Sequence, residues 1–316
     1  MNVDLTDPIF HDEDKAREWL EASRWPNGPT CPHCGSVRPA RMGGMSGRPG
    51  LFHCPDCRGQ FTVRTGQVME RSHVPLAKWV MAYHLMASSK KGISAHQLHR
   101  TLKVAYNTAW FMAHRIREAM SEKNPAPLGG PGKIVEADEA YHGKRETPVQ
   151  RSRNAVKNPT KRGLGGGAQK RPIVALVERD GEVRATHMNH VTGKNLRDFI
   201  VRNADRKSRL HTDESNLYPT LGKEFATHET VNHSMKEYAR GDATTNTVEG
   251  YFGVFKRGMV GVYQHCGEQH LQRYLDEFSF RWNHRVKLGV EDAERAAAAI
   301  YAAEGKRLTW RRPDAS

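Results

Sequence analysis

Three acidic residues stand where carboxylates could hold divalent cations for phosphodiester chemistry. Asp138 lies in VEADEAY, which reads as a strand; Asp213 closes a second strand, LHTDES; Glu249 sits in NTVEGYF, which reads as a helix. There are 35 residues between Asp213 and Glu249. Two-metal chemistry on a phosphodiester needs carboxylates on rigid elements, holding the ions about 4 Å apart. Such oxygen ligands select Mg²⁺ or Mn²⁺ rather than zinc. Scattered acids are common on protein surfaces, so the informative feature is their order: first strand, fourth strand, later helix. Neighbouring groups compete for the same work. Glu136 shares a strand face with Asp138 by the period of two, whereas Glu139 and Glu214 point to opposite faces and are secondary. His211 shares a face with Asp213 and reads as a packed strand histidine. Lys256, two helical turns past Glu249, shares its face and with Arg257 forms a basic pair suited to a phosphate.

A second constellation is Cys31-Pro-His-Cys34 with Cys54-Pro-Asp-Cys57, the pairs separated by 19 residues. Two such knuckles place four thiolates tetrahedrally about one Zn²⁺. Redox pairs or unconnected thiols are the alternatives, and the spacing favours the metal. His33 and His53 fall outside the ligand set because four thiolates already close a structural site. Cys266 stands alone and reads as an ordinary helix residue.

The elements that must carry these groups fall into four regions. Residues 1–70 hold a short helix (12–23) and the Cys pairs, with the intervening GMSGRPGLFHC and the following GQFTVRTG as ribbon strands. Residues 75–122 are helical, with Ser94 capping a middle helix. Three short helices with tight breaks and a basic last helix, which contains Arg115, fit a helix-turn-helix. A generic three-helix unit fits nearly as well; the adjacent Cys pairs and the charge tip the reading toward DNA. Residues 133–290 form an α/β region, with strands at 133–141, 171–179, 182–190, 208–215 and 226–233. Asp180-Gly181 marks a hairpin turn, a helix opens at Thr192-Gly193, and two more span 244–260 and 267–286. Residues 291–316 form a last helix and a basic tail. The segment 144–171 is rich in Lys, Arg, Gly and Pro, and Arg151, Arg153, Lys161 and Arg162 within it suit phosphates. The whole chain has 316 residues, 37% of them hydrophobic, and a formal charge of +14. That excess points to a polyanion. No apolar run approaches a membrane span, and the acidic, helix-like start does not read as a signal peptide, so a cytoplasmic protein is expected.

Taken together, the stretches RWPNGPTCPHCGS, FHCPDC, FTVRTG, VEADEAYHGK, LHTDES, TNTVEGYFGVFKRGMVGVY, RYLDEFSFRWNHR and GKRLTWRR make the chain resemble, over nearly its whole length, bacterial insertion-sequence transposases of the IS 1595 family, the ISXO-type group. The resemblance implies that Asp138, Asp213 and Glu249 are the acidic triad, with Lys256 as the associated lysine. Some members carry another polar residue in place of the third acid; here Glu249 stands there, with Asn246 three positions earlier on the same face. The implied fold is an α+β multi-domain chain: zinc ribbon, helix-turn-helix-like segment, and a ribonuclease-H-like domain whose mixed sheet has its first and fourth strands adjacent. The implied function is cleavage of double-stranded DNA at element ends and strand transfer to target DNA, by a dimer or larger assembly in the bacterial nucleoid. A domesticated DNA-binding regulator and a stand-alone nuclease are the rival readings.

Overall fold

The computed structural model describes residues 4–43, 48–144, 170–235, 237 and 239–309. The chain divides into two compact units, residues 1–121 with 284–316, and residues 122–283.

In the first unit, helix α1 (Glu13–Arg24) starts at Asp12, whose carboxylate accepts from the Asp14 and Lys15 N–H groups at 2.8 and 3.0 Å. Such a cap satisfies donors that the helix itself cannot. Its buried Ala16, Leu20 and Arg24 fall four apart, on one face. Three two-residue strands, β1 (Ala40–Arg41), β2 (Phe52–His53) and β3 (Gln60–Phe61), pair antiparallel in order. Strands this short cannot hold themselves. Their core is aromatic: Phe52 stacks on Phe61 at 5.5 Å, and Trp25 meets both rings edge-on.

Helices α2 (Leu76–Ser88), α3 (Ala95–Leu102) and α4 (Tyr106–Met120) follow. Ser94 caps α3, accepting from Gln97 N–H at 3.1 Å. Lys103 ends it in the left-handed conformation (φ 50°), leaving a tight turn before α4. The end of the chain completes this unit. A late helix (Asp292–Tyr301; α9 below) packs on α2. Arg295 donates to the Ala87 carbonyl at 3.2 Å, and Lys306 Nζ to the Ala119 carbonyl at 2.7 Å. Both cations meet helix C-termini, where carbonyls lack partners and the dipole is negative.

The second unit is built on a five-stranded mixed sheet. Strands β4 (Ile134–Lys144), β5 (Lys170–Glu178) and β6 (Val183–His187) form an antiparallel meander. Asp180, at φ 59°, makes the turn between the last two. Helix α5 (Gly193–Asn203) then returns the chain to β7 (Arg209–Thr212), parallel to β4. A short helix, α6 (Pro219–Gly222), leads to β8 (Thr227–Thr230), parallel to β7. The order is β6-β5-β4-β7-β8, so the first and fourth strands of the sheet are adjacent, as the resemblance implied.

Both faces of the sheet are covered. Val135, Ala137, Val174, Leu176 and Leu210 pack with Leu196 and Ile200 of α5. On the other face, Ala140, Ile173, Ala175 and Val177 pack beneath helices α7 (Asn246–Gly258) and α8 (Leu271–Asn283). This double burial explains why β5 is apolar at consecutive positions instead of alternating. A π-helical turn, Met259–Tyr263, extends α7. Cys266 differs from its expected place in a helix. It lies in the connection after that turn, buried, with its carbonyl accepting from Arg171 at 2.6 Å. Gln264, at φ 60°, has already broken the helix ahead of it. Among the described residues no helix is long and apolar enough to cross a membrane.

Candidate active site

The parallel register of β4 and β7 creates the site. Glu136 pairs with His211, and each strand carries its aspartate two residues further on. β7 stops at Thr212 while β4 runs on to Lys144, which leaves a notch beside Asp138. Asp213 turns into it just past the strand end, its carboxylate accepting from Ser215 N–H at 3.0 Å. Carboxylate oxygens of Asp138, Glu139 and Asp213 come within 4.8 Å of one another. Glu139 does face the opposite side of the sheet from Asp138, as alternation requires. It joins the cluster because, among the described residues, no strand occupies the notch, and Tyr218 Oη donates to it at 2.7 Å.

Three carboxylates this close cannot all ionise cheaply. Burial pushes Asp138 up to about 7, and Glu139, Asp213 and Glu249 push it the same way against a hydrogen bond from Glu139 N–H. Burial likewise pushes Glu139 to about 7, with Tyr218 opposing and Asp213 adding. Burial also raises Asp213. A clustered oxygen donor set whose ionisation is suppressed until positive charge arrives fits a hard divalent cation.

Glu249 lies in the first turn of α7, and its charge is felt at Asp138, but its carboxylate is outside the three-residue group. Its Oε1 lies 3.2 Å from His233 Nε2 and accepts from Thr245 Oγ1 at 3.1 Å. His233 is held in turn by Glu214, which accepts from the His233 and Ser234 N–H groups at 3.0 and 3.1 Å. Hydrogen bonds led by the Ser234 hydroxyl hold Glu214 down to about 2. Glu214, next to Asp213, therefore braces the segment that touches Glu249.

Glu136 has a role that sequence reasoning missed. It is fully buried and accepts from the N–H groups of Thr247 (2.8 Å) and Val248 (3.1 Å) at the start of α7. Arg179 Nη2 pairs with it at 2.9 Å and also lies 3.4 Å from His211 Nδ1. The first strand is thus tied to the helix that carries Glu249. An acid alternating with Asp138 in an apolar strand was the available signal; nothing local marked Arg179 as a partner of Glu136, Tyr218 of Glu139 or His233 of Glu249. Lys256 and Arg257 are exposed in the last turn of α7, with Lys256 Nζ 5.9 Å from the Phe252 ring centroid. Arg115 is half-buried in the other unit, donating to the Glu70 carbonyl at 3.1 Å and stacked over Phe111. Arg151, Arg153, Lys161 and Arg162 lie outside the described residues.

The cysteines form the second candidate metal centre. Cys31, Cys34, Cys54 and Cys57 place their sulfurs within 4.8 Å of one another, with Cys31–Cys57 at 3.7 Å and Cys34–Cys54 at 3.6 Å. Four sulfurs about 2.3 Å from one tetrahedral ion would lie about 3.8 Å apart, so the set fits Zn²⁺. Backbone N–H groups, Cys57's foremost, lower the Cys54 thiol, while in Cys34 a hydrogen bond from Ser36 N–H is outweighed by burial and the neighbouring sulfurs, which raise it, so without a cation the four do not ionise together. His33 and His53 are not in the group.

Comparison with known proteins agrees with this division. Residues 127–283 match the family model described as the ISXO2-like transposase domain, and residues 11–60 that of the transposase zinc-ribbon domain. Over 283 residues the chain is 29% identical to an uncharacterized protein in transposable element ISH50 of Halobacterium salinarum, covering 86% of this chain and 91% of that protein. That relative is archaeal, so the similarity does not single out bacteria. Among solved structures, a pre-cleavage Mos1 transpososome matches at 12% identity over 68% of this chain and 75% of that one, with a TM-score of 0.26. The Mos1 strand transfer complex matches at 13% over 73% and 79%, also with a TM-score of 0.26. At that score neither superposition bears on the fold, which rests on the strand order above.

Proposed function

We propose that this chain, which carries a transposase zinc-ribbon domain and an ISXO2-like transposase domain, is a metal-dependent DNA transposase that cuts element-end DNA and joins it to a target. The observation that carries the reading is the convergence of Asp138, within β4, and Asp213, just past the end of the adjacent parallel β7, with Glu249 on a helix anchored to β4. The strand order supports assigning the second unit to the ribonuclease-H-like class.

Asp138 and Asp213 would hold divalent cations, Mg²⁺ or Mn²⁺, with Glu249 completing the set and Glu139 adjoining it. Bound there, such ions neutralise charge on the attacking and leaving oxygens of an in-line displacement. The protein's own part is to fix the carboxylates on a rigid sheet and to orient the DNA. Lys256 and Arg257, exposed on the same helix as Glu249, would contact backbone phosphates. The zinc ribbon and helices α2–α4 would recognise element ends, with α3 and α4 as a helix-turn-helix and Arg115 a candidate contact. The basic segment 144–171 would add phosphate contacts, and the working species would be a dimer or larger assembly.

The test is a two-substrate assay. Labelled element-end duplex and a target plasmid are incubated with the protein, with and without Mg²⁺. Mg²⁺-dependent nicking and joined product are expected. Cutting without joining would make the protein a nuclease, and tight binding with neither would make it a regulator.

A further inference from the structure

A second cationic site lies in the first unit, remote in sequence from the acidic cluster. A cavity of about 300 Å³ opens between α1, residues 48–50, residues 62–64 and the start of α2, and Arg17, Arg48, Arg64, His73 and Glu13 line it. Its charges are unbalanced. The single lining carboxylate, Glu13, is already engaged: its oxygens accept from the Leu76 and Ala77 N–H groups at 2.9 and 3.2 Å, capping α2, and Arg64 lies 3.4 Å away. Arg17 has a partner in Asp14, whose carboxylate is largely exposed. Arg48 makes no side-chain hydrogen bond or ion pair among the described residues. Burial lowers the Arg64 pKa, and the charges of Arg48 and Arg17 add to that against the pull of Glu13.

The cavity is also shaped for an arginine. Gly50, at φ 73°, sits against the Arg17 stem, and a Cβ there would lie 2.4 Å from Arg17 Cδ. Only glycine combines that backbone conformation with that approach. Three guanidiniums, planar forks suited to oxyanions, thus line a space whose one lining acid is spent on a helix cap; Arg64 also donates to the Ser72 carbonyl, and Glu21, beside Gly50, is paired with Arg41.

We propose that this cavity is a phosphate clamp that takes a backbone phosphodiester of duplex DNA, with Arg17, Arg48 and Arg64 as its donors. The choice of DNA over free phosphate rests on the transposase reading, and the experiment separates the two. Binding of a short fluorescent duplex to the full-length, zinc-loaded protein is measured over a range of salt concentrations for wild type, Arg48→Gln, Arg17→Gln and Lys15→Gln. Lys15 is exposed on the same helix and paired with Glu18, outside the cavity. Each lost phosphate contact lowers the slope of log affinity against log salt by about 0.9. Because the clamp holds one phosphate, a fall of at most that size is expected for Arg48→Gln and for Arg17→Gln, with Lys15→Gln at the wild-type slope. Among the described residues Arg48 has no side-chain hydrogen bond or ion pair to lose, and zinc content verifies the ribbon in every variant. Wild-type binding with unchanged slopes in both arginine variants overturns the clamp while leaving the transposase reading intact. A wild-type protein that binds no duplex overturns that reading as well. In a parallel titration with inorganic phosphate followed by ³¹P NMR, binding that both arginine variants abolish, alongside unchanged duplex slopes, would assign the cavity to free phosphate and overturn the DNA assignment.

Discussion

Thr247 donates twice to Glu136: its backbone N–H reaches one carboxylate oxygen at 2.8 Å, and its hydroxyl reaches the other at 2.9 Å. One buried side chain on the first strand of the sheet thereby fixes the start of the helix that bears Glu249. An anion at a helix N-terminus is favoured by both the free N–H groups and the dipole, and Arg179 balances its charge.

Glu136→Ala should therefore destabilise the second unit by about 2 kcal/mol, because it leaves two helix N–H groups unpaired in a buried setting and takes the carboxylate from Arg179, which keeps the Asp242 carbonyl. Denaturant melts of the wild type and the variant measure the loss. A cost under 1 kcal/mol would mean that the helix start is held by packing alone.

Cys54→Ser should remove zinc and unfold the ribbon, since metal binding supplies much of the folding energy of so small a domain. Strands of two residues around three aromatic rings have little else to hold them. Metal analysis should give one zinc per wild-type chain and none in the variant, while limited proteolysis still yields a protected fragment spanning 122–283. Full zinc occupancy in the variant would contradict the four-thiolate site.

Stability should depend on pH through Asp138. Its carboxyl is raised from 3.8 to about 7 in the fold, chiefly by burial. The folded state thus favours the protonated acid: that contribution is fully present below about pH 4 and is lost as pH rises through 7. Without added Mg²⁺, Tm should fall between pH 5 and pH 8 by more in the wild type than in Asp138→Asn. The Tm gain on adding Mg²⁺ should grow across the same window. Equal pH profiles for the two proteins would refute the assignment of the shift to Asp138.

Glu139→Gln should weaken the divalent ion's hold without abolishing it, raising the Mg²⁺ concentration for half-maximal activity about tenfold. Its carboxylate adjoins Asp138 and Asp213 but is shared with Tyr218. An unchanged Mg²⁺ requirement would assign Glu139 to Tyr218 alone.

Much of this architecture was legible in the residues. The Asp180-Gly181 turn, the caps at Ser94 and Thr192, and the alternation of β4 are local signals, and each describes the element found there. The four cysteines converge as their spacing required. What local patterns do not encode is contact between distant segments. Glu136 was placed on the right face with no sign that a helix start 111 residues later would meet it. Glu139 was set aside by alternation, which is correct about direction and silent about where β7 stops. Cys266 was read as helical although it falls between the helices read at 244–260 and 267–286, the gap in which Gln264 makes the break. The return of Arg295 and Lys306 to the ends of α2 and α4 had no local signature either.

The most direct test of the account is strand transfer by Asp213→Asn, with Asp138→Asn beside it, under Mg²⁺ and with end-DNA binding measured on the same preparations. Each change keeps the side chain's shape and removes a ligand charge. Each should lower cleavage and joining by at least about a thousandfold, about 4 kcal/mol of transition-state stabilisation, while duplex affinity stays near wild type. Because the carboxylates act as a unit, the double variant should lose little more than either single one. Wild-type levels of joined product from both single variants would contradict the enzymatic reading of this site.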